Sequence, residues 1–279
     1  MTTAKIRVLT PAELSQLIGW AKAEGWNPGL DDAAAFHAAD PSGFFGCFVD
    51  GQMVAGISAV AYGETFGFIG LYISHPDHRG KGYGLKAWDQ AMTYLSGRSI
   101  GLDGVPAQQA NYARMGFVPT YGTLRWSGRY PALPPLHSPV VSVAPEHFDA
   151  IEAFDSLAFP APRAAFLQQW LKPPRIARAI FRGQELAGYG VARRCHEGVK
   201  IGPLFASTDQ DAETLFSALA TAAGPETLSI DVPESQTAFS THLAGLGFAK
   251  GFETKRMVHG APLICEERLV FGVTTLELG

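Results

Sequence analysis

The sequence is poor in the features that mark secreted and membrane proteins. Its three cysteines, Cys47, Cys195 and Cys265, are widely spaced and odd in number, which argues against a disulfide framework and favours free thiols in a reducing compartment. No apolar run approaches the ~18 residues that a membrane span requires, and the first residues lack the apolar core of a signal peptide. We therefore expect a cytoplasmic protein with no membrane partner.

Dense positive charge is also missing. The net charge is -4, the isoelectric point is near 6.1, and the longest basic runs are the pairs Arg193-Arg194 and Lys255-Arg256. A nucleic-acid-binding surface needs a basic patch or stripe, so we expect no nucleic-acid partner.

Metal-ligand spacing is absent as well, although the chain has eight histidines. His75 and His78 are three apart around Pro76, in a turn rather than on a helix face, and only Asp77 lies beside them. A polar loop tip explains this cluster better than a metal site does, so we expect no metal.

What the chain does have is enough apolar sequence for two cores. Hydrophobic residues make up 47% and charged residues 17% of the 279 residues. That composition excludes disorder, and the length suits two domains of about 140 residues each.

The most informative stretch is a glycine-rich loop between a strand and a helix. The apolar run 66–73 ends at a proline turn, and a helical pattern follows with Leu85, Trp88, Met92 and Leu95 predicted on one face. The loop itself reads Arg79, Gly80, Lys81, Gly82, Tyr83, Gly84. Such a layout points backbone N–H groups and the positive end of a helix at a phosphate, and two cations add to it.

Three interpretations of the loop compete. It lacks the Gly-Lys-Ser/Thr of a P-loop and the Gly-x-Gly-x-x-Gly spacing of a dinucleotide site. It could be a glycine-rich surface turn with two solvated cations. The pattern Arg/Gln-x-x-Gly-x-Gly/Ala, met by Arg79, Gly82 and Gly84, resembles the acyl-CoA pyrophosphate loop of the GNAT acyltransferase superfamily.

A second motif extends this resemblance. About thirty residues further on, Tyr112-Ala-Arg-Met-Gly-Phe117 is similar to the family's Tyr-x-x-x-Gly-Phe, after a predicted strand at 99–103 and a helix at 105–115. The resemblance implies an acetyl-CoA donor, an α/β fold with a mixed sheet, and two parallel strands that splay apart. The pantetheine arm would pair with the backbone edge that the first of these two strands thereby leaves unpaired, at Leu71, Tyr72 and Ile73.

The resemblance also implies transfer of the acyl group to a primary amine of a small molecule or peptide. Tyr112 is the predicted donor of a proton to the leaving thiolate, since an ordinary tyrosine, with a pKa of about 10, is protonated at neutral pH. Two carboxylates are candidate bases, Asp103 at the end of its strand and Glu64 in the preceding hairpin. Ordered water could also serve.

The segment after the first helix is a candidate acceptor loop. Trp26 could form an apolar or cation–π wall there, and Asp31 and Asp32 could attract a cationic amine. The two aspartates could equally cap the next helix.

An internal repeat divides the chain. The segments 50–56, 70–74 and 115–117 recur as 182–188, 202–206 and 246–248, at offsets of 131–132. The Pro-rich stretch 131–139 reads as a linker. We therefore predict tandem GNAT-like domains at 1–130 and 140–279, each with a Gly-Gln hairpin and two final strands, and a helix capped by Thr10 and Pro11 at the start of the first.

The two halves are not equivalent. The second has the loop 206–211, with no glycine, no cation and two carboxylates, where the first has its glycine loop. We therefore expect only the first half to bind acyl-CoA, the second half to line the acceptor site or support the first, and Asp231 to present a carboxylate at the boundary. The leading hypothesis is an acetyltransferase. The alternative is a non-catalytic acyl-CoA-binding or scaffold protein with this fold.

Overall fold

A computed structural model describes residues 4–131 and 139–279. The elements of the first half are, in chain order, β1 (Lys5–Val8), α1 (Pro11–Ala23), α2 (Asp32–Ala39), β2 (Phe44–Val49), β3 (Gln52–Tyr62), β4 (Phe66–Ser74), α3 (Tyr83–Tyr94), β5 (Ser99–Gly104), α4 (Pro106–Arg114) and β6 (Val118–Arg129). Residues 132–138 of the predicted linker lie outside the described residues.

The second half repeats this order. Its elements are β7 (Val140–Ser142), α5 (Phe148–Ala158), α6 (Ala164–Trp170), β8 (Ile176–Arg182), β9 (Glu185–Arg194), β10 (Val199–Ala206), α7 (Asp209–Ala223), β11 (Thr227–Pro233), α8 (Thr237–Gly245), β12 (Ala249–His259) and β13 (Val270–Gly272). The predicted α/β class with a mixed sheet and the duplication of one fold are confirmed.

Local signals explain several element boundaries. The Thr10 hydroxyl accepts a hydrogen bond from the backbone N–H of Glu13, and the Glu13 carboxylate accepts one from the Thr10 N–H, which forms the capping box at the start of α1. The hairpins β2–β3 and β8–β9 turn at Gly51 and Gly183, both with positive φ. The predicted helix start and both Gly-Gln turns are confirmed.

All the strands belong to one sheet, and the last long strand of each half is exchanged. The order is β1-β2-β3-β4-β5-β12-β6-β11-β10-β9-β8-β7, with β13 beside β10. Strand β12 of the second half pairs with β5 of the first, and β6 of the first half pairs with β11 of the second. The two exchanged strands pair with each other at the centre.

The exchange corrects the expectation of two final strands in each half. Within the described residues, each half places a single long strand there, and the other half supplies its neighbour. Sequence reasoning missed this because hydrophobic alternation does not say which chain segment a strand pairs with. A fragment ending near residue 130 would lose β12 and leave the inner edge of β5 unpaired.

Two buried ion pairs hold the exchanged strands. The Arg256 guanidinium on β12 donates two hydrogen bonds to the Asp103 carboxylate on β5, at 2.8 and 3.0 Å. The Arg125 guanidinium on β6 donates two to the Asp231 carboxylate on β11, at 2.7 and 2.9 Å. Each pair joins residues directly opposite in the ladder, so the two are equivalent under the repeat.

The halves also share a core. The largest cluster of buried apolar side chains combines residues of both halves, among them Leu17, Phe36 and Phe68 from the first and Phe159 and Trp170 from the second. The two homologous units therefore form one packed body rather than two separable domains.

Helix α3 packs on the sheet through most of the predicted face. Trp88 and Leu95 are buried and Met92 is half-buried, whereas Leu85 is 52% exposed, and Gly84, Ala87 and Ala91 complete the buried face. Small side chains allow the helix to lie close to β4, where a Cβ on Gly84 would approach the Ser74 hydroxyl within 2.7 Å.

Candidate functional site

The site begins where two parallel strands separate. The pairing of β4 with β5 runs from Phe66 opposite Ser99 to Ile69 opposite Leu102 and stops there, although β4 continues to Ser74. Beyond this point Leu71 has a φ of 46°, in a bulge that re-aims the strand against β3. The backbone edge of β4 is therefore turned away from β5 and available to a ligand.

The glycine loop lies at the end of this freed strand. Gly80 and Gly82 have φ values of 74° and 80°, and a Cβ built on either meets no heavy atom within 4 Å. Gly82 is the N-cap of α3, so the first backbone N–H groups of this twelve-residue helix follow it. These N–H groups can donate hydrogen bonds to the oxygens of an anion that approaches from solvent.

The two cations of the loop are held differently. The Arg79 guanidinium contacts the Glu24 carboxylate, and its Nε donates to the Ser74 carbonyl at 3.2 Å. Lys81 donates to the Asp77 carbonyl at 2.9 Å. Arg79 borders the cavity described next, whereas Tyr83 packs its ring beside His78, away from it.

A cavity of about 490 Å³ opens between the separated strands. This volume lies in the range of small-molecule sites, roughly 300–1,000 Å³. The first half contributes the freed edge of β4, the end of β5 and α4. Residues from the exchanged strands and from the end of the second half close the other side, namely Arg125, Phe252, Thr254, Leu276 and Glu277.

Tyr112 is the tyrosine of α4 that borders this cavity. Its ring stacks on Trp88, with centroids 5.6 Å apart, and meets the edge of Phe117. Burial raises the pKa of Tyr112 to about 12, with a smaller contribution from Tyr72. The phenol therefore stays protonated through the physiological range.

The two candidate bases lie in unlike places. Asp103 borders the cavity, but both of its carboxylate oxygens accept hydrogen bonds from Arg256, and its side chain is fully buried. Glu64 is exposed in the turn before β4, at the opposite edge of the sheet. Glu64 lies five residues before Ile69, the first residue of β4 that lines the cavity, which is about 16 Å at ~3.3 Å per residue. The Glu64 side chain therefore does not border this cavity.

The segment expected to receive the acceptor docks mainly on the second half. The Asp32 carboxylate accepts a hydrogen bond from the Gly29 N–H and pairs with Arg193 and Arg175, and the Asp31 side chain caps no helix. Neither aspartate borders the cavity. Trp26 does, and its carbonyl accepts a hydrogen bond from the buried Lys200.

The equivalent opening in the second half is filled by the chain itself. The parallel pairing of β10 with β11 ends at Ile201 opposite Ile230, and β13 then pairs with β10 at Leu204 and Phe205. Two contacts hold the loop between β10 and α7. Thr208 caps α7, and Asp211 forms an ion pair with Arg182. A ligand has no freed strand edge to pair with there.

Sequence reasoning missed the lining contributed by the exchanged strands and by the end of the second half. Arg125 and Thr254 lie on strands whose exchange was unforeseen, and Glu277 follows β13, beyond the last repeated motif. The equivalence of Arg125 and Arg256, which are 131 residues apart, could have been found as a fourth repeat match.

Neither a metal centre nor a membrane-spanning helix is found in the described ranges. No group of three or more histidine, cysteine, aspartate or glutamate side chains converges there. No helix of residues 4–131 and 139–279 combines the length and apolarity that a bilayer crossing needs.

A splayed β4–β5 pair, a glycine loop before α3 and a tyrosine on α4 together define an acyl-CoA-dependent acyltransferase fold of the GNAT type. Family models agree with this geometry in both halves. The acetyltransferase (GNAT) family model matches residues 12–117, and an acetyltransferase (GNAT) domain model matches residues 151–272.

Individual relatives extend over nearly the whole chain. Holothin acyltransferase from Pseudoalteromonas sp. (strain SANK 73390) is 34% identical over 262 residues, covering 93% of this chain and 89% of its own. The chain therefore belongs to the GNAT acyltransferase superfamily, as a tandem member with two GNAT domains.

Two solved structures show the same fold. A candidate acetyltransferase from Pyrococcus horikoshii superposes with a TM-score of 0.82 at 19% identity, covering 99% of this chain and 96% of its own. A tandem GNAT protein from the clavulanic acid biosynthesis pathway gives a TM-score of 0.63 at 13% identity, with 93% and 100% covered.

Proposed function

We propose that the protein transfers an acetyl group from acetyl-CoA to a primary amine of a small molecule, by direct attack in a ternary complex. The observation that carries the proposal is one cavity that is bordered by the freed edge of β4, by Arg79 of the glycine loop and by Tyr112. Family membership supports acyl transfer in general, and the cavity supports a small acceptor.

The donor substrate would lie along β4. The pantetheine arm pairs with the backbone of Leu71, Tyr72 and Ile73, in the manner of an added strand. The pyrophosphate lies at the N-terminus of α3, where glycines at positive φ leave its approach open. The loop residues assigned to this role are Arg79, Gly80, Lys81, Gly82, Tyr83 and Gly84, of which Tyr83 contributes only its backbone.

The chemistry follows from this placement. The amine nitrogen attacks the thioester carbonyl, the C–N bond forms, and backbone N–H groups of β4 stabilise the developing oxyanion. The C–S bond then breaks, and Tyr112 protonates the thiolate.

The pKa of Tyr112 constrains the timing of this proton transfer. Its pKa of about 12 lies above that of an ordinary thiol, ~8.5, so a complete proton transfer would be uphill by about 5 kcal/mol. The phenol therefore recovers a proton from the attacking nitrogen as the C–S bond breaks, without accumulating as phenolate.

Two features support a small amine acceptor and a single donor site. The similar Pseudoalteromonas protein is by its name an acyltransferase that acts on holothin. The second half closes its own opening with β13, so we assign acyl-CoA binding to the first half and a wall of the acceptor site to the second.

A transfer assay tests the proposal. The purified full chain is incubated with acetyl-CoA and a panel of primary amines, and amide and free CoA are quantified by mass spectrometry. We expect equal amounts of the two products for at least one amine. Binding of acetyl-CoA without amide from any amine would favour the alternative of a non-catalytic acyl-CoA-binding protein.

A further inference from the structure

Residues 273–279 run from the closed opening of the second half into the open one of the first. The backbone N–H of Val273 donates to the Asp231 carbonyl at 2.9 Å, directly after β13. At the other end, the Tyr62 hydroxyl donates to the Leu278 carbonyl at 3.0 Å. The stretch that follows β13 therefore reaches β3, the neighbour of β4, and its residues Leu276 and Glu277 line the cavity.

Glu277 is fixed at the point where β4 and β5 separate. Its carbonyl accepts a hydrogen bond from the Ser58 hydroxyl at 3.2 Å. A Cβ on Gly70 would lie 2.1 Å from that carbonyl oxygen, so the backbone of Glu277 packs directly on the residue before Leu71. Only glycine at position 70 permits this approach.

The side chain of Glu277 has no partner among the described residues, although it is nearly buried. Residue 277 is 4% exposed, its Oε2 atom accepts no hydrogen bond, and no cation of the described chain lies within the 4.0 Å of an ion pair. Burying an ionisable group without partners is costly, and native proteins do it rarely. The exception requires an explanation.

The other carboxylates around the cavity are already engaged. Glu24 contacts Arg79, and Asp103 is held by Arg256. Asp231 does not line the cavity itself and is held by Arg125, which does. These three pairs are each neutral. Glu277 is thus the carboxylate of the lining whose charge no contacting cation balances.

More distant charges surround Glu277 but are committed elsewhere. Arg125, Arg193 and Lys200 interact with it electrostatically, as does the thiol of Cys195. Arg125 and Arg193 contact Asp231 and Asp32, and Lys200 donates to the carbonyls of Trp26 and Asn27. None of these contacts satisfies the Glu277 oxygens.

We propose that Glu277 binds the ammonium group of the acceptor and accepts its proton, which makes the substrate class a cationic primary amine. This inference rests on the function proposed above. One proton passes from R–NH3⁺ to the Glu277 carboxylate, and the neutral nitrogen then attacks the thioester. After the attack, a second proton passes from the nitrogen to the Tyr112 oxygen and replaces the proton that Tyr112 gives to sulfur. Glu277 then releases the first proton to solvent.

Glu277→Gln tests the inference because it keeps the shape and removes the charge. We expect acetyl-CoA affinity to stay within two-fold. Amide formation from benzylamine, a cation at neutral pH, should fall by ~10²–10⁴. Aniline, neutral at this pH, should lose far less. Glu267→Gln, in the neighbouring 140 Å³ cavity, is the control and should behave as wild type.

Two readouts do not depend on turnover. Saturation-transfer NMR of benzylamine with the CoA-bound protein should show binding to wild type and none to Glu277→Gln, even if the wild type acetylates no amine. The melting temperature of the variant should change little, because relief of the unsatisfied buried carboxylate is offset by loss of its interactions with Arg125, Arg193 and Lys200. Gly70→Ala, which must displace Glu277, should reproduce the loss of benzylamine binding.

Three results would overturn the inference. The first is that wild type and Glu277→Gln bind benzylamine equally, or that neither protein binds it. Equal loss of rate with benzylamine and aniline is another. A lower melting temperature together with lost acetyl-CoA affinity in Glu277→Gln would assign the residue a structural role instead.

Discussion

Replacing Arg79 with glutamine should weaken acetyl-CoA binding without affecting the fold. The guanidinium lies beside the glycine loop, borders the cavity, and is held by the Glu24 carboxylate and the Ser74 carbonyl. A pyrophosphate at the start of α3 would draw this charge toward itself. Glutamine retains a donor there but removes the positive charge.

The structure limits the size of the effect. A hydrogen bond to a charged group contributes about 1.5–3 kcal/mol. The Arg79 side chain is 52% exposed, so solvent screens it and it must also leave Glu24. We therefore expect a loss of about 1–2 kcal/mol, which corresponds to a roughly 5- to 30-fold higher Kd. Added salt should reduce the difference, since exposed charges are screened within about 8–10 Å.

Isothermal titration calorimetry with acetyl-CoA measures this directly, and the chain offers a matched control. Arg98 also donates through Nε to a backbone carbonyl near β4, that of Gly63, but at the opposite edge of the sheet. Arg98→Gln should therefore leave the Kd unchanged. If Arg79→Gln and Gly82→Val, whose added side chain enters the phosphate approach, both bind as tightly as wild type, the loop is not the pyrophosphate site.

Two further predictions concern the chemistry and the strand exchange. Tyr112→Phe removes one hydroxyl and should lower turnover by ~10²–10⁴ with little change in acetyl-CoA affinity, and any alkaline limb due to Tyr112 should lie near its pKa of about 12; wild-type turnover would remove Tyr112 from the mechanism. Arg256→Met strands the buried Asp103 and should cost about 3–5 kcal/mol in denaturant unfolding, much of it recovered with Asp103→Leu added. If Arg256→Met is as stable as wild type, the Arg256–Asp103 pair does not stabilise the fold. If the double variant is stable but has lost turnover, Asp103 becomes the candidate base again.

The parts of this molecule that depend on neighbouring residues were predictable from the sequence. The capping box at Thr10, the Gly51 and Gly183 turns and the strand–loop–helix arrangement around Gly82 each follow from residue types within a few positions of one another. The repeat added the fold class, because two copies of one pattern imply two copies of one unit.

Contacts between distant residues were not predictable in the same way. In a duplicated sequence β5 can pair with the last strand of either half, and hydrophobic alternation is the same in both cases. The partner of Asp103 is therefore 153 residues away, on the other half. Glu277 lies in a stretch with no motif, and its position follows only from its packing on Gly70.

Titration of the full chain with acetyl-CoA tests the central claim, that one opening of the tandem fold is a donor site and the other is closed. Calorimetry or native mass spectrometry should give one acetyl-CoA per chain, because β13 occupies the edge of β10 that a second molecule would need. A stoichiometry of two, or one-to-one binding that Arg79→Gln and Gly82→Val leave unaltered, would contradict the account.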